Sequence, residues 1–320
     1  MTTPANHPLV SVVLSFRNEE GNLPELAARL SKMFAAQPFE YELLFVNDAS
    51  TDGSLDALLQ ARASNERIRI LTMSRPFGVA ECVRAGLAAS RGDAVIYMDT
   101  DLQDPPEVIP SMLDAWRRGA EVVHTVRSRR HGENPLKTWL TGVAYRMIRF
   151  GATIDLPVDA GDFKLLTRKA VDRLLALRES DPYLRGLVVW LGFQQVFVAY
   201  ERDARHRGAT HFPFFSRNPW KTFALGLTSF SFAPIYACAA LAAAGLAVAA
   251  GLLGIAVVRT LAGTGPALRP ALLGVATFFW ATTLGAISIV GVYVIRTYKD
   301  VRGRPEYIVA STVGFDEDTR

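Results

Sequence analysis

The sequence predicts an α/β protein with a mostly parallel sheet, followed by two membrane-spanning helices. Over 9–98, short β-branched apolar runs alternate with segments of helical periodicity, the pattern of a parallel sheet covered by helices. Each apolar run empties into a polar cluster. Farther along, 232–258 and 270–295 contain no charged residue.

The elements follow in order. Leu9–Ser15 reads as a buried strand, and 22–33 as a helix with Leu23, Leu26, Ala27 and Leu30 on one face. Strands at 41–46, 68–73 and 94–98 alternate with helices at 54–63 and 78–90. A further strand is expected at 121–126. Residues 134–150 carry Leu136, Trp139, Leu140, Val143, Met147 and Phe150 at helical spacing, with Lys137, Arg146 and Arg149 elsewhere. Such a basic amphipathic helix either lies in a membrane interface or packs on the sheet. His211-Phe212-Pro213-Phe214-Phe215 and Trp220 form a second interfacial candidate, since aromatic residues collect at headgroup level.

A bilayer crossing takes about 20 apolar residues, so each charge-free run is long enough to span. Arg202, Arg205, Arg207, Arg217 and Lys221 precede the first run, and Arg296, Lys299, Arg302 and Arg304 follow the second. The connection between them holds only Arg259 and Arg269. The positive-inside rule therefore places both termini in the cytoplasm and the short loop outside; the expected location is a multi-pass anchor in the cell's inner (cytoplasmic) membrane. The expected division is a catalytic domain over 1–210, an amphipathic segment over 211–231, the two spans within 232–295 and a cytoplasmic tail over 296–320. Met1 to Pro8 is short, polar and proline-broken, and does not read as a signal peptide.

Composition narrows the function classes. The 320 residues include 35 Lys plus Arg and 31 Asp plus Glu, a net charge of +4. Half are hydrophobic, which excludes a disordered tail protein. The mild charge gives no reason to expect a nucleic-acid partner. Cys82 and Cys238 cannot make a disulfide scaffold or a zinc site. There is no G-x-G-x-x-G opening the first helix and no P-loop.

Ligands of parallel α/β sheets bind beyond the carboxyl ends of the strands. The clusters expected there are 15–20, 47–53, 74–78 and 99–107. Asp99-x-Asp101 places two carboxylates at a strand end, where both can face a divalent cation that keeps substrate phosphates in its shell. Taken alone, this spacing also suits an ordinary turn.

These stretches resemble the polyprenyl-phosphate glycosyltransferases of glycosyltransferase family 2, which have the GT-A fold. The likeness rests on 12–20, on Phe45-Val46-Asn47-Asp48-Ala49-Ser50-Thr51-Asp52-Gly53-Ser54, and on Asp99-Thr100-Asp101-Leu102-Gln103-Asp104-Pro105-Pro106-Glu107. Ala160-Gly161-Asp162-Phe163-Lys164-Leu165 and Tyr298-Lys299-Asp300-Val301-Arg302-Gly303-Arg304-Pro305 extend it across both spans. The resemblance implies a GT-A domain with a C-terminal two-helix transmembrane hairpin. It implies transfer, with inversion, of a hexose from a nucleotide diphosphate sugar to polyprenyl (undecaprenyl) phosphate. The expected donor is UDP-glucose, with GDP-mannose next.

Roles carry over by position. Ser15, Phe16 and Glu19 would line the nucleoside pocket, and Asp48 would face the base. Asp99 and Asp101 would hold Mg²⁺ or Mn²⁺ with help from Gln103, and Asp101 and Asp162 would be catalytic; on the residues alone, Glu19 also suits a solvated helix start, Asp48 a cap on the following turn, and Asp162 a structural pair with a nearby Arg. Arg127 and Arg129 follow a strand and are acceptor-phosphate candidates, because a guanidinium fork suits phosphate; the same residues also suit a solvated basic loop. Arg205 and His211 are further acceptor-phosphate candidates. Relatives usually read Arg-x-x-Gly-x-Ser-Lys-Tyr there, whereas this chain has His211 and Phe212 in place of Lys-Tyr. Pro76 stands where many relatives have Asn. The family also implies membrane lipids as partners and a homo-oligomer, for which Gly245, Gly251, Gly254, Gly285, Ser288 and Gly291 would permit close helix packing.

Three other readings stand beside this one, the first of them transfer to a different lipid or to a protein. A processive polysaccharide synthase would carry Gln-x-x-Arg-Trp, but Gln194 and Gln195 lead into Val196-Phe197-Val198-Ala199. A non-catalytic membrane scaffold is disfavoured by the intact Asp99-x-Asp101.

Overall fold

The computed structural model describes residues 8–129, 160–201, 226–263 and 268–315. They divide into two compact units, 226–304 forming the second.

In the first unit, β1 (Leu9–Phe16), β2 (Glu40–Asn47), β3 (Ile68–Met73) and β4 (Ala94–Asp99) alternate with α1 (Leu23–Ala35), α2 (Ser54–Ser64) and α3 (Val79–Ala89). Then come a short 3-10 turn at Pro106–Val108, α4 (Ile109–Arg117), β5 (Val122–Arg129), β6 (Ala160–Thr167), α5 (Arg168–Ala176), α6 (Leu184–Trp190) and β7 (Gln195–Glu201). The last strand, β8 (Val309–Val313), follows the second unit. The sheet order is β7-β5-β6-β4-β1-β2-β3-β8. The β4-β1-β2-β3 block is parallel, as is β5-β7, while β6 and β8 join antiparallel.

The parallel block forms because its strands are apolar on both faces. Val10, Val12, Leu14 and Phe16 point into one core, where Leu23, Leu26, Leu30 and Phe34 of α1 meet them. The i, i+3, i+4, i+7 stripe of α1 is the amphipathic pattern that covers such a sheet. Each fully buried Leu contributes about 1.5–3 kcal/mol.

Three expectations need correction. The strand expected to end at Val126 continues to Arg129, so Arg127 and Arg129 pair with Tyr200 and Glu201 of β7 instead of sitting in a loop. The stretch expected as a tail contributes β8, which covers the free edge of β3 and so removes an exposed row of backbone donors and acceptors. A buried cluster anchors it there. Arg69 pairs with Glu42 at 2.6 Å and donates through Nε to the Gly314 carbonyl at 3.2 Å. Arg84 pairs with Glu306 at 2.5 Å and donates to the Leu177 carbonyl at 2.9 Å, just past α5. The third correction concerns Phe16 and is given with the site.

In the second unit, α7 (Ala233–Leu261) and α8 (Leu268–Arg302) are each long and apolar enough to cross a bilayer: an 18-residue stretch of α7 has mean hydropathy 2.4, and one within Leu272–Arg302 of α8 has 1.9. Gly245 lies against Phe278; a Cβ there would stand 2.0 Å from its ring. Arg296 donates to Thr228 and Ser229 at 2.7 and 2.9 Å, and Tyr293 to the Ser231 carbonyl at 2.9 Å, tying 226–231 to the end of α8. Apolar side chains such as Leu246 and Trp280 stay exposed, at 63% and 69%, as expected of lipid-facing helices. The helix expected at 134–150, the segment 211–220, Arg205 and His211 lie outside the described residues.

Candidate active site

The C-terminal edge of the parallel block is where the described backbone is strained. Among the described residues, the non-glycine residues with positive φ are Asn18, Ala49 and Leu102, at 56°, 50° and 58°. They follow β1, β2 and β4 respectively. A left-handed conformation costs an ordinary residue about 1–2 kcal/mol, and such strain collects at functional edges.

The loops after β1 and β2 hold each other. Asn18 N donates to Ser50 Oγ at 3.1 Å and Thr51 N to Asn18 Oδ1 at 2.8 Å. Glu19 N donates to Ser54 Oγ at 2.9 Å, and Gly53 N to Glu20 Oε2 at 3.2 Å. Asn22 Nδ2 donates to Glu19 Oε2 at 2.6 Å, at the start of α1. Asp48 adds the loop after β3: its carboxylate accepts from Phe77 N at 2.6 Å and Gly78 N at 3.2 Å. Gly78 has φ 122°, a conformation few side chains tolerate.

Phe16 does not line this edge with its side chain. It is 3% exposed and meets Phe45 edge-on in the core. Alternation along β1 explains the correction: Phe16 shares a face with Val12 and Leu14, whereas Ser15 points to the opposite face beside Asp99. Only the Phe16 backbone serves the edge, its carbonyl accepting from Asp48 N at 2.9 Å.

The second half of the edge is acidic. Asp101 is 8% exposed and accepts from Gln103 N at 3.1 Å. This hydrogen bond closes a tight turn whose central residue is Leu102. The Leu102 side chain is 3% exposed in the main core, and its burial offsets the strain that presents Asp101. Asp104 is 1% exposed and accepts from the hydroxyl of Tyr200. Asp162, on β6, accepts a two-pronged hydrogen bond from Arg185 of α6, with Nε to Oδ1 at 2.7 Å.

Asp99 feels all of these groups. Burial pushes its pKa up to about 7, and the nearby charges of Asp162, Asp104 and Asp101 push the same way against Arg185. Three further carboxylates thus act on Asp99, one of them, Asp101, its partner in the Asp-x-Asp pair. Such a donor set favours a hard divalent cation, which would relieve the repulsion. Among the described residues, no three His, Cys, Asp or Glu side chains form a group able to hold a metal ion. The fit is therefore to an ion that takes two protein carboxylates and completes its shell with phosphate and water.

Behind the acids lies a buried polar row. Tyr97 of β4 pairs in register with Lys164 of β6, and Lys164 with His124 of β5. All three side chains are at most 2% exposed. Burial and the neighbouring Lys164 lower the His124 pKa to about 4, against a 2.8 Å hydrogen bond with Gln195.

The edge brings together Ser15, Glu19, Asp48, Asp99, Asp101, Gln103 and Asp162, with the Gln103 N–H donating to Asp101. Asp104, Tyr97, Arg185 and Tyr200 carried no role in the sequence reading. Asp104 lies inside the quoted motif and was within reach; Arg185 gave no local signal. The side chains of Arg127 and Arg129 lie outside the described residues.

Residues 11–175 match the family "Glycosyl transferase family 2". The chain belongs to that family. A relative in Bacillus subtilis (strain 168), "Uncharacterized glycosyltransferase YkcC", is 34% identical over 316 residues, covering 98% of this chain and 96% of the relative. The "SfII prophage-derived bactoprenol glucosyl transferase" of Shigella flexneri is 32% identical over 306 residues, covering 94% of this chain and 97% of the relative. A solved structure of glucosyl-3-phosphoglycerate synthase from Mycobacterium tuberculosis, with Mn²⁺, UDP-glucose and phosphoglyceric acid, is 20% identical at a TM-score of 0.49. It covers 69% of this chain and 80% of that one. This family 2 chain is a glycosyltransferase, and the edge described above is its candidate active site.

Proposed function

We propose that this glycosyltransferase is anchored in the inner membrane and transfers glucose from UDP-glucose to undecaprenyl phosphate, with inversion, using Mg²⁺ or Mn²⁺. The observation that carries this reading is the acidic edge, where Asp99 and Asp101 stand among further carboxylates with Arg185 opposing them. The relatives named bactoprenol glucosyl transferase support the lipid acceptor and the glucose.

Asp99 and Asp101, with Gln103 alongside, would hold the ion; when bound, it would neutralise charge developing on the diphosphate leaving group. The interlocked loops of Glu19 and Asp48 hold the nucleoside side of the pocket, so that the donor is aligned before reaction. Arg185 fixes the Asp162 carboxylate near the transferring sugar. The acceptor needs little base catalysis, because a phosphate monoester with a second pKa of about 6 is mostly ionised at pH 7. Arg127, Arg129, Arg205 and His211 are assigned to the acceptor phosphate from the sequence pattern alone.

Two considerations support the anchoring. The helices α7 and α8 are long and apolar enough to span. The chain leaves the α/β unit after β7 and re-enters it at β8, so two crossings return it to the side it left. The cytoplasmic side follows from the flanking Arg and Lys residues. An added Cβ at Gly251, Gly254, Gly285 or Gly291 would meet nothing within 4 Å, which leaves these surfaces for a homo-oligomer contact.

The test is nucleotide release by the full-length protein in detergent. UDP- and GDP-sugars are screened with Mg²⁺ or Mn²⁺, with and without undecaprenyl phosphate. Lipid-dependent UDP release from UDP-glucose is expected. Release that ignores the lipid, or that comes from another donor, would overturn the assigned substrates.

A further inference from the structure

Tyr97 presents an anomaly at the base of the acidic cluster. Its side chain is 2% exposed, and among the described residues its hydroxyl has no hydrogen-bond partner. The strand register places it. Tyr97 lies two residues before Asp99 on β4 and therefore on the same face. It pairs with Lys164 of β6, which lies two residues beyond Asp162 on a shared face. The phenol thus stands on the side of the sheet where Asp99 and Asp162 point.

A buried hydroxyl without an acceptor is destabilising, because it has lost water and gained nothing. Phenylalanine would fill the same space without that penalty. Stability alone therefore disfavours tyrosine here, and such violations of local physics concentrate where function requires them. Asp162 can use the donor. It accepts from Arg185 through both oxygens, and an ionised carboxylate offers about four acceptor sites, so it can serve several donors at once.

We propose that Tyr97 is a positioning residue of the transfer reaction: its hydroxyl donates to the Asp162 carboxylate once donor and metal ion load the site. Arg185 and Tyr97 then hold Asp162 from two directions and fix it in one orientation. The proposal rests on the reading of this edge as a metal-dependent nucleotide-sugar site.

The experiment compares wild type with Tyr97→Phe as full-length protein in detergent. The melting temperature is measured without ligand and again with Mn²⁺ plus UDP, and steady-state kinetics are run with UDP-glucose and undecaprenyl phosphate. The ligand-free melting temperature of Tyr97→Phe should equal or exceed that of wild type. Its rise on adding Mn²⁺ and UDP should be smaller than in wild type. The kcat should fall about tenfold, as for loss of one hydrogen bond to a charged group, with KM for the donor changing less than about twofold. In an Asp162→Asn background the same substitution should have little further effect.

A lower ligand-free melting temperature would overturn the proposal, since it would mean that the hydroxyl is already partnered at rest. So would full kcat with a wild-type ligand-induced rise, or an undiminished loss in the Asp162→Asn background. If wild type itself shows neither transfer nor a shift with Mn²⁺ and UDP, the reading of the site fails and the Tyr97 proposal falls with it. If wild type is active and Tyr97→Phe matches it, only the role of Tyr97 fails.

Discussion

The two halves of the candidate catalytic edge are built on opposite principles. At β1, β2 and β3 the polar groups satisfy one another: Asn18, Glu19, Glu20 and Asp48 all take backbone or hydroxyl partners from neighbouring loops. At β4 and β6 carboxylates crowd together instead: Asp101, Asp104 and Asp162 all act on Asp99, whose pKa is raised to about 7. A network of mutual hydrogen bonds is rigid before any ligand arrives, whereas crowded like charges are eased by protonation or by a bound cation. The first half is held by hydrogen bonds and the second is marked by like charge.

The largest break in this contrast is expected from Asp101→Asn. The substitution keeps the turn hydrogen bond from Gln103 N, because the side-chain amide oxygen still accepts, but it removes the charge. Activity should fall at least about 100-fold while the melting temperature stays within a few degrees of wild type. Retained turnover in the nucleotide-release assay would remove Asp101 from the metal site.

Asp48 probes the satisfied half. In Asp48→Ala the N–H groups of Phe77 and Gly78 lose their acceptor; a fully buried orphan donor costs about 1–3 kcal/mol, and these two are part-buried, so water offsets some of that loss. The expected result is a clear drop in melting temperature with a raised KM for the donor. Asp48→Asn, which keeps one acceptor oxygen, should lose less. An Asp48→Ala protein that melts like wild type would show that the loop after β3 does not depend on this carboxylate.

How far the two halves could be read from the sequence differs for physical reasons. The strands of the parallel block are apolar on both faces and short, so periodicity alone reveals them, and their polar ends follow by topology. Parity along β1 would also have assigned Phe16 to the core, since it keeps step with Val10, Val12 and Leu14. The other strands hide. β6 reads Ala-Gly-Asp-Phe-Lys-Leu-Leu-Thr and buries Lys164, which no hydrophobic pattern signals. β8 comes after two spans and pairs with a strand more than 200 residues earlier. Arg185 meets Asp162 only because α6 returns over β6, a tertiary event with no local trace. The carboxylates of the acidic half were therefore legible as motifs, while the cation opposing them was not.

The acidic half should also betray itself in the pH dependence of stability. With chelator present, Asp99 has a folded-state pKa of about 7 against an ordinary value of 3.8. Between these values the folded protein holds a proton that the unfolded chain has released. Raising the pH through this window therefore destabilises the metal-free protein, the reverse of the usual behaviour of a paired carboxylate. The melting temperature should fall from pH 5 to pH 7.5 in chelator, and Asp99→Asn should flatten that slope. Added Mn²⁺ should stabilise most at the alkaline end, where binding displaces no proton. A slope unchanged by Asp99→Asn would place the titrating group elsewhere.

The smallest effect is expected where the two halves meet on the surface. Arg29 of α1 reaches Glu107, just beyond the Asp-x-Asp segment, with Nη2 to Oε2 at 2.6 Å. The geometry is two-pronged, yet the side chains are 29% and 58% exposed. Water screens such a pair, so Glu107→Gln should change stability by less than about 1 kcal/mol and barely alter turnover. Raising the salt concentration should mimic the substitution in wild type and leave the variant unaffected. A tenfold loss of kcat in Glu107→Gln at full stability would reverse this ranking. It would mean that the acidic segment is held in place from α1, and that the tight turn at Leu102 cannot position Asp101 alone.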